Sequence, residues 1–418
     1  MRSLREYQTT DAGPENVNMR IALLSWESLH SVAVGGVAVH VTELAAALER
    51  RGHEVHVFTR RDYGQSDYDR IHGVHYHRCE YSPNCDFVDE MSSMCQSFAA
   101  QLRCVERDSQ PFEIVHAHDW LTSGGLETLG KSRSCSLVLT MHSTEYGRGG
   151  NTWGGGQSER IATREREAVR AADRLIAVSN HLQREICRLY DIDPAVVEVI
   201  HNGVNSDSFD YLVDAGEVKR RYSVGCLDPT VLFVGRLVAQ KGPDILMGAI
   251  PIVLGAHSDA KFVFVGHGDL WQNLIQMSDD LRISHALRLL GDVRGKPLND
   301  LFLACDVLVV PSRNEPFGIV ALEGWSAGKP IVVTKSGGIA ELVRTGVTGL
   351  LAEAIPSSIA TSIVALFADH AWARQMGWNG RRYVRSAEFH WDTIAERTEQ
   401  IYLSLRLATR ERWARIGH

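Results

Sequence analysis

The chain lacks an excess of positive charge: 44 lysines and arginines stand against 51 acids, a net of −7 over 418 residues. That balance argues against a general nucleic-acid binder. It also lacks an apolar run of bilayer length. Stretches such as VLVV and IVV are strand-sized, far below the about 20 residues a spanning helix needs. The first eighteen residues, MRSLREYQTTDAGPENVN, have no apolar centre, so they do not read as a secretory signal. They are expected to be a flexible extension, residues 1–18. The eight cysteines include no C-x-x-C pair, which favours scattered reduced thiols over a disulfide framework. No Asn-x-Ser/Thr sequon occurs. A cytoplasmic location is the expectation.

What is present is alternation of strand and helix, twice over. MRIALLSW, HEVHVFTR, GVHYHRC, EIVHAHD, CSLVLTMH, DRLIAVS and VEVIHNG read as strands, mostly separated by helical patterns such as GGVAVHVTELAAALERRG, stopped by Gly52. A polar, turn-rich stretch follows near residues 203–229. The theme restarts with TVLFVGR, AKFVFVG, HALRLLGD, DVLVVPS, KPIVVT and TGLLAE. Such runs imply βαβ units and buried parallel sheets. The fold class is therefore α/β, two doubly wound domains over 19–210 and 211–388. An amphipathic tail helix follows, over 389–418. Ligands of open α/β sheets bind beyond the carboxyl ends of strands, so the residues there carry the functional reading.

Gly35 and Gly36 enter a helix whose amides and dipole suit an anion; the plain alternative is a turn. VHAHDW puts His116 and His118 on one face of a strand end, with Asp119 as a helix-start residue. His142 and Glu145 follow the next strand, before the glycine-rich loop GRGGNTWGGG. Arg236 and Lys241 flank a helix start near Pro243 and suit a diphosphate, Arg by a bidentate fork and Lys as a point charge. A solvated loop is the alternative there.

The segment NEPFGIVALE is the most specific. Pro316 suits a first helical turn. Phe317, Gly318, Ile319 and Val320 then offer free backbone N–H groups, and Gly318 permits close approach. Glu315 would accept from sugar hydroxyls. Glu323, about 12 Å further along a helix, would meet a ribose. That spacing is wide for a glycosidase carboxylate pair. HGVHYHRC, with His72, His75, His77 and Cys79, reads as a hairpin strand in preference to a metal site.

Together these motifs resemble the retaining, sugar-nucleotide-dependent glycosyltransferases of family four, which have the GT-B fold: two Rossmann-like domains facing a cleft. The resemblance runs from Met19 to about Leu407 and includes Glu315-x7-Glu323, the Gly35-Gly36 loop, HAHDW, FVGR with Lys241, HNGV and the WDTIAERTEQIY tail, which in the family crosses back onto the first domain. It implies that Arg236, Lys241 and the amides of Gly318 and Ile319 hold a donor diphosphate. Gly36 approaches the phosphates, Glu323 binds the ribose, and Glu315 lies against the transferred sugar. His118 sits over the reacting sugar with His142 nearby. No metal and no cofactor are implied beyond the nucleoside diphosphate sugar, since Arg, Lys and helix-end dipoles neutralise the leaving group.

Glycogen and starch synthases carry Lys two residues before the Gly-Gly pair; here it is Ala33, which weakens a polyglucan reading. The expected reaction is hexosyl transfer, glucosyl first, from a UDP-, ADP- or GDP-hexose to a hydroxyl acceptor. GDP-mannose use is an alternative. The acceptor is expected to be small and polar or anionic, or an oligosaccharide, with Glu145 and Arg148 on its side. Arg160 and Arg164 belong either to that acceptor or to a solvated helix face. A dinucleotide enzyme would need G-x-G-x-x-G, which is missing; a non-catalytic nucleotide-sugar binder is the remaining class. The tail helix mixes acids with its arginines, so domain packing is expected over stable membrane anchoring.

Overall fold

The computed structural model describes residues 18–130 and 135–416. The expected extension therefore lies outside the described residues, apart from Asn18. The first domain holds β1 (Arg20–Leu24), β2 (Glu54–Arg60), β3 (Tyr68–Ile71), β4 (Val74–Cys79), β5 (Ile114–His118), β6 (Ser136–Met141), β7 (Arg174–Ala177) and β8 (Val197–Val199). Their order across one sheet is β3-β4-β2-β1-β5-β6-β7-β8. The second holds β9 (Thr230–Val234), β10 (Lys261–Val265), β11 (Leu287–Leu289), β12 (Val307–Val310), β13 (Ile331–Thr334) and β14 (Leu350–Ala352), ordered β11-β10-β9-β12-β13-β14. Inner strands such as β1, β6 and β12 are buried along their whole length, which is why they read as largely apolar runs.

Every described pairing within the sheets is parallel except β3 with β4. That antiparallel pair turns at His72 and Gly73, both with positive φ, so the histidine-rich segment is a hairpin as expected. β4 also pairs in parallel with β2.

The strand order reverses between β1 and β5 in one sheet and between β9 and β12 in the other. Side-chain-bearing loops diverge at such switch points and leave a crevice. The carboxyl ends of those four strands and the loops after them carry Glu27 and Gly35, then His118 and Asp119, then Arg236, then Glu315. The topology alone brings the motifs to one cleft.

The tail helix Trp391–Ile416 returns to the first domain. Trp391, Ile394 and Tyr402 are buried with Ile21, Val41, Leu44 and Val55 in one core, each contributing about 1.5–3 kcal/mol of burial. The His116 Nδ1 lies 2.6 Å from the Tyr402 hydroxyl. Arg50 and Arg51 pair with Asp392 and Glu399. The chain thus crosses between domains twice at one place, where Val204 N–H donates to the Phe389 carbonyl at 3.0 Å. A side chain at Gly203 would meet the Trp391 ring at 2.7 Å, which explains the glycine of HNGV.

The helix expected to begin at Pro316 begins three residues later, as Ile319–Ser326 with Gly318 as its N-cap. Two contacts hold Glu315 and Pro316 out of it. Glu315 forms a bridge with Gly337, and its carbonyl accepts from Gly338 N–H at 2.7 Å. Gly318 then turns the chain at φ 94°, a conformation other residues rarely adopt.

Candidate active site

Glu315 is buried, and its two carboxylate oxygens each lie 2.8 Å from the Lys241 Nζ. Ser312 Oγ donates to Oε2 at 2.8 Å. A buried carboxylate is stable only when paired in this way. Lys241 is placed by a 3₁₀ turn, Ala239–Lys241, ahead of the helix Pro243–Ala256. Arg236 is exposed at the cleft edge and within hydrogen-bond reach only of Gln240 Oε1, at 3.5 Å. Desolvation and the Arg148 guanidinium across the cleft pull its basicity down, while Glu27 and Glu315 support it.

The helix Ile319–Ser326 points its N-terminus into this group of charges. Ala321 N–H bonds back to Gly318, so Ile319 and Val320 lead with amides that have no intrahelical acceptor. From the other side comes Gly36, first residue of the helix Gly36–Arg50. A Cβ there would lie 3.1 Å from Ile319 Cδ1. Two helix N-termini therefore converge across the cleft, which is a setting for a multiply charged anion.

Gly35 is placed differently from expectation. Its N–H and that of Val34 donate to Glu27 Oε2 at 2.7 and 2.6 Å. Glu27 is buried, which raises its pKa, and it shapes the loop, leaving Gly36 as the glycine that faces the second domain. Glu27 sits in SWESLH, a stretch with no motif, and its position eight residues before the loop gave no signal.

Glu323 sits in the helix with burial alone pushing its carboxyl up to about 7. Phe317 is buried with its ring 5.5 Å from that of His201. It packs under the site at the interdomain crossing.

On the first-domain wall, His118 is buried with Nδ1 3.2 Å from His142 Nε2. Asp119 adopts φ 60°, a strained value held because Asp119 Oδ1 accepts His142 N–H at 2.7 Å. Asp119 therefore ties two strand ends together in place of capping a helix. His116 points to the tail helix, as described.

Glu145 opens a short helix, Glu145–Arg148. Arg148 turns inward from the acceptor side. Its Nη1 donates to Ser143 Oγ at 2.6 Å, its Nε to Glu145 Oε2 at 3.2 Å, and it pairs with buried Glu165. Burial pushes Glu165 to about 7. Arg160 pairs with Asp86 and Asp89, and Arg164 with Glu167, which makes them the solvated helix face.

The two domains touch beside the site. Ser179 Oγ donates to the Pro316 carbonyl at 2.6 Å, and Asn314 Nδ2 reaches Glu185 at 3.1 Å and Asn151 at 2.6 Å. An open groove of about 460 Å³ continues outward, lined by Asn151, His181, Arg184, Lys335, Gly337 and Glu341 among others. Gly337, which bridges to Glu315, joins this groove to the charged centre. Sequence reading passed over Gly337 and Gly338, although SGGIAE repeats the pattern of a glycine pair entering a helix after a strand.

Residues 34–208 match the family described as Glycosyltransferase Family 4, and residues 225–383 match Glycosyl transferases group 1. An uncharacterised glycosyltransferase of Methanocaldococcus jannaschii is 34% identical over 92% of this chain and 98% of its own. The chain belongs to the group 1 glycosyltransferases. Among its relatives are the glycogen synthase of Mycobacterium tuberculosis, 30% identical over 95% of this chain and 98% of that one, and the D-inositol 3-phosphate glycosyltransferase of Kineococcus radiotolerans, 32% identical over 92% and 93%. The sucrose-phosphate synthase of Thermosynechococcus elongatus superposes with a TM-score of 0.81 at 24% identity, covering 94% of this chain and all of that one. This group 1 glycosyltransferase has the GT-B fold, as the motifs implied. Among the described residues, no helix is long and apolar enough to cross a membrane.

Proposed function

We propose that this glycosyltransferase moves a hexosyl group, glucosyl first, from a nucleoside diphosphate sugar to a hydroxyl with retention of configuration. The observation that carries the reading is the convergence of Lys241, Arg236 and the Ile319–Ser326 helix N-terminus on one point, with Gly36 opposite. A diphosphate leaving group developing negative charge would be stabilised by those preorganised donors, so the reading requires no metal ion. Glu315 holds Lys241 in place and faces the sugar. Glu323 accepts from the ribose hydroxyls, and His118 supports the sugar as positive charge develops. The leaving phosphate oxygen takes the proton of the incoming hydroxyl on the same face, so no carboxylate nucleophile is needed.

The groove beside Gly337 is where the acceptor would approach. Arg184 and Lys335 there are paired with Glu341 and Glu353, and would exchange those partners for a polar, phosphate-bearing acceptor, the kind named for one relative. Polyglucan elongation is the second reading, supported by the glycogen synthase relative and opposed by Ala33. Product release from UDP-, ADP- and GDP-hexoses, each offered with a phosphorylated polyol and a malto-oligosaccharide, tests both. No transfer with any pair would sink the reading, as would near-normal turnover in both Glu315→Ala and Lys241→Ala.

A further inference from the structure

His40, His118 and His142 meet where the Gly36–Arg50 helix begins and β5 and β6 end. One ring nitrogen from each lies within 4.8 Å of those of the other two. Ring centroids are 4.6 Å apart for His40 and His142, 5.3 Å for His40 and His118, and 5.4 Å for His118 and His142. His40 and His118 are almost wholly buried, and their Nε2 atoms have no hydrogen-bond partner. Burying such a nitrogen unpaired is costly. Nothing in the transfer chemistry uses His40, whose Nδ1 is anchored 2.8 Å from Asn202 Oδ1.

We propose that His40, His118 and His142 form a binding site for a divalent transition-metal ion of the zinc class, and that an ion held there inhibits transfer. Three imidazoles suit zinc, cobalt, nickel or copper and leave a further position open. Nitrogens about 2.0–2.1 Å from a tetrahedral ion stand roughly 3.3 Å apart, so three ring nitrogens already within 4.8 Å of one another need only small side-chain rotations to meet one ion. The ion would take the His118 nitrogen that the reacting sugar requires. The inhibition rests on the hexosyltransferase reading; the binding does not.

The test uses the full chain, stripped with a chelator and titrated with Co²⁺ while the visible absorption of the low-coordinate ion is followed, alongside transfer assays with added Zn²⁺. One equivalent of Co²⁺ is expected to bind. His40→Asn keeps an atom where Nδ1 meets Asn202 and deletes Nε2. It should weaken cobalt binding at least tenfold, leave metal-free turnover within twofold, and relieve zinc inhibition. His142→Gln, checked for fold by circular dichroism, should lose the cobalt signal too and serves if His40→Asn does not fold. His75→Gln removes the other histidine group, Glu54 with His56 and His75, and should change nothing. No cobalt absorption, a signal that survives His40→Asn and His142→Gln, or one lost in His75→Gln would overturn the site. Unchanged transfer by the zinc-loaded wild type would overturn the inhibition. Absence of transfer in every metal-free preparation would instead remove the hexosyltransferase reading, with the cobalt spectrum still deciding the site.

Discussion

Lys241 Nζ lies 2.8 Å from each carboxylate oxygen of Glu315. Both side chains were assigned separately to the donor, and the structure makes them one unit. Removing one partner strands the other, since Glu315 is buried and Lys241 only partly exposed. Lys241→Met should therefore lower stability by about 2 kcal/mol, below the range for fully buried pairs because solvent reaches the ammonium. Adding Glu315→Gln should restore much of that loss. Transfer should fall at least about 100-fold in either single variant and stay low in the double. Denaturant midpoints and turnover across the four proteins would check this, and a strictly additive stability cycle would refute the coupling.

Glu323 gives a pH signature. Its carboxyl is raised to about 7 by burial, so the free enzyme holds a proton there below that pH. If the ribose hydroxyls donate to the carboxylate, donor binding requires the ionised form. Donor affinity should then be constant above pH 7 and weaken below it, approaching about tenfold per pH unit. Glu323→Gln should bind donor less tightly at pH 8 and lose this dependence. Calorimetric titration with the nucleoside diphosphate from pH 5.5 to 8 measures it; a profile unchanged in Glu323→Gln would rule out the role.

The fold was legible because both-face burial writes parallel strands as apolar runs. Of the first sheet's strands only β3, the short and partly exposed YDRI, carries no apolar pattern to mark it. Lys241, Glu315, His118 and His142 stood out because they lie at or within a few residues of strand ends. Backbone packing was not. Nothing in EPFG reveals that Gly337 lies against Glu315, where a Cβ would come within 2.1 Å of the Glu315 carbonyl oxygen, so Pro316 was read as helical. The ion pair of Arg148 was hidden for a related reason: its partner Glu165 is seventeen residues away and looked like one more charge on a polar helix. Pairings between distant acids and bases depend on tertiary approach, which spacing does not encode.

Gly36 tests whether closure matters. Its missing side chain lets Ile319 come within contact distance, with 3.1 Å from a notional Cβ to Ile319 Cδ1. Alanine should be accommodated by a small shift of the flexible isoleucine tip. Valine should hold the domains apart. We expect Gly36→Ala to keep turnover within about threefold and Gly36→Val to lower it by about two orders of magnitude, since misplacement near 1 Å can cost that much. Thermal stability should change little, because the helix start is not core. Small-angle scattering should show a larger radius of gyration for Gly36→Val in the presence of donor.

Acid should destabilise the first domain through its histidines. His56 and His77 are buried and stacked, with His56 Nδ1 2.9 Å from His77 Nε2. Burial lowers their pKa values to about 4 and about 3 from the ordinary 6.5. The unfolded chain therefore takes up protons that the folded one refuses once the pH drops below 6.5. Their contribution to stability is complete above 6.5 and is lost as pH falls from there towards 4. Each refused proton adds a slope of up to about 1.4 kcal/mol per pH unit. Urea midpoints should hold steady between pH 7 and 8 and fall steeply between 6 and 5. Substituting His77→Gln removes one titrating group and retains a polar atom near His56, so the slope should become shallower even if stability at pH 7.5 is lower. An equally steep slope in that variant would show that other groups control the acid limb.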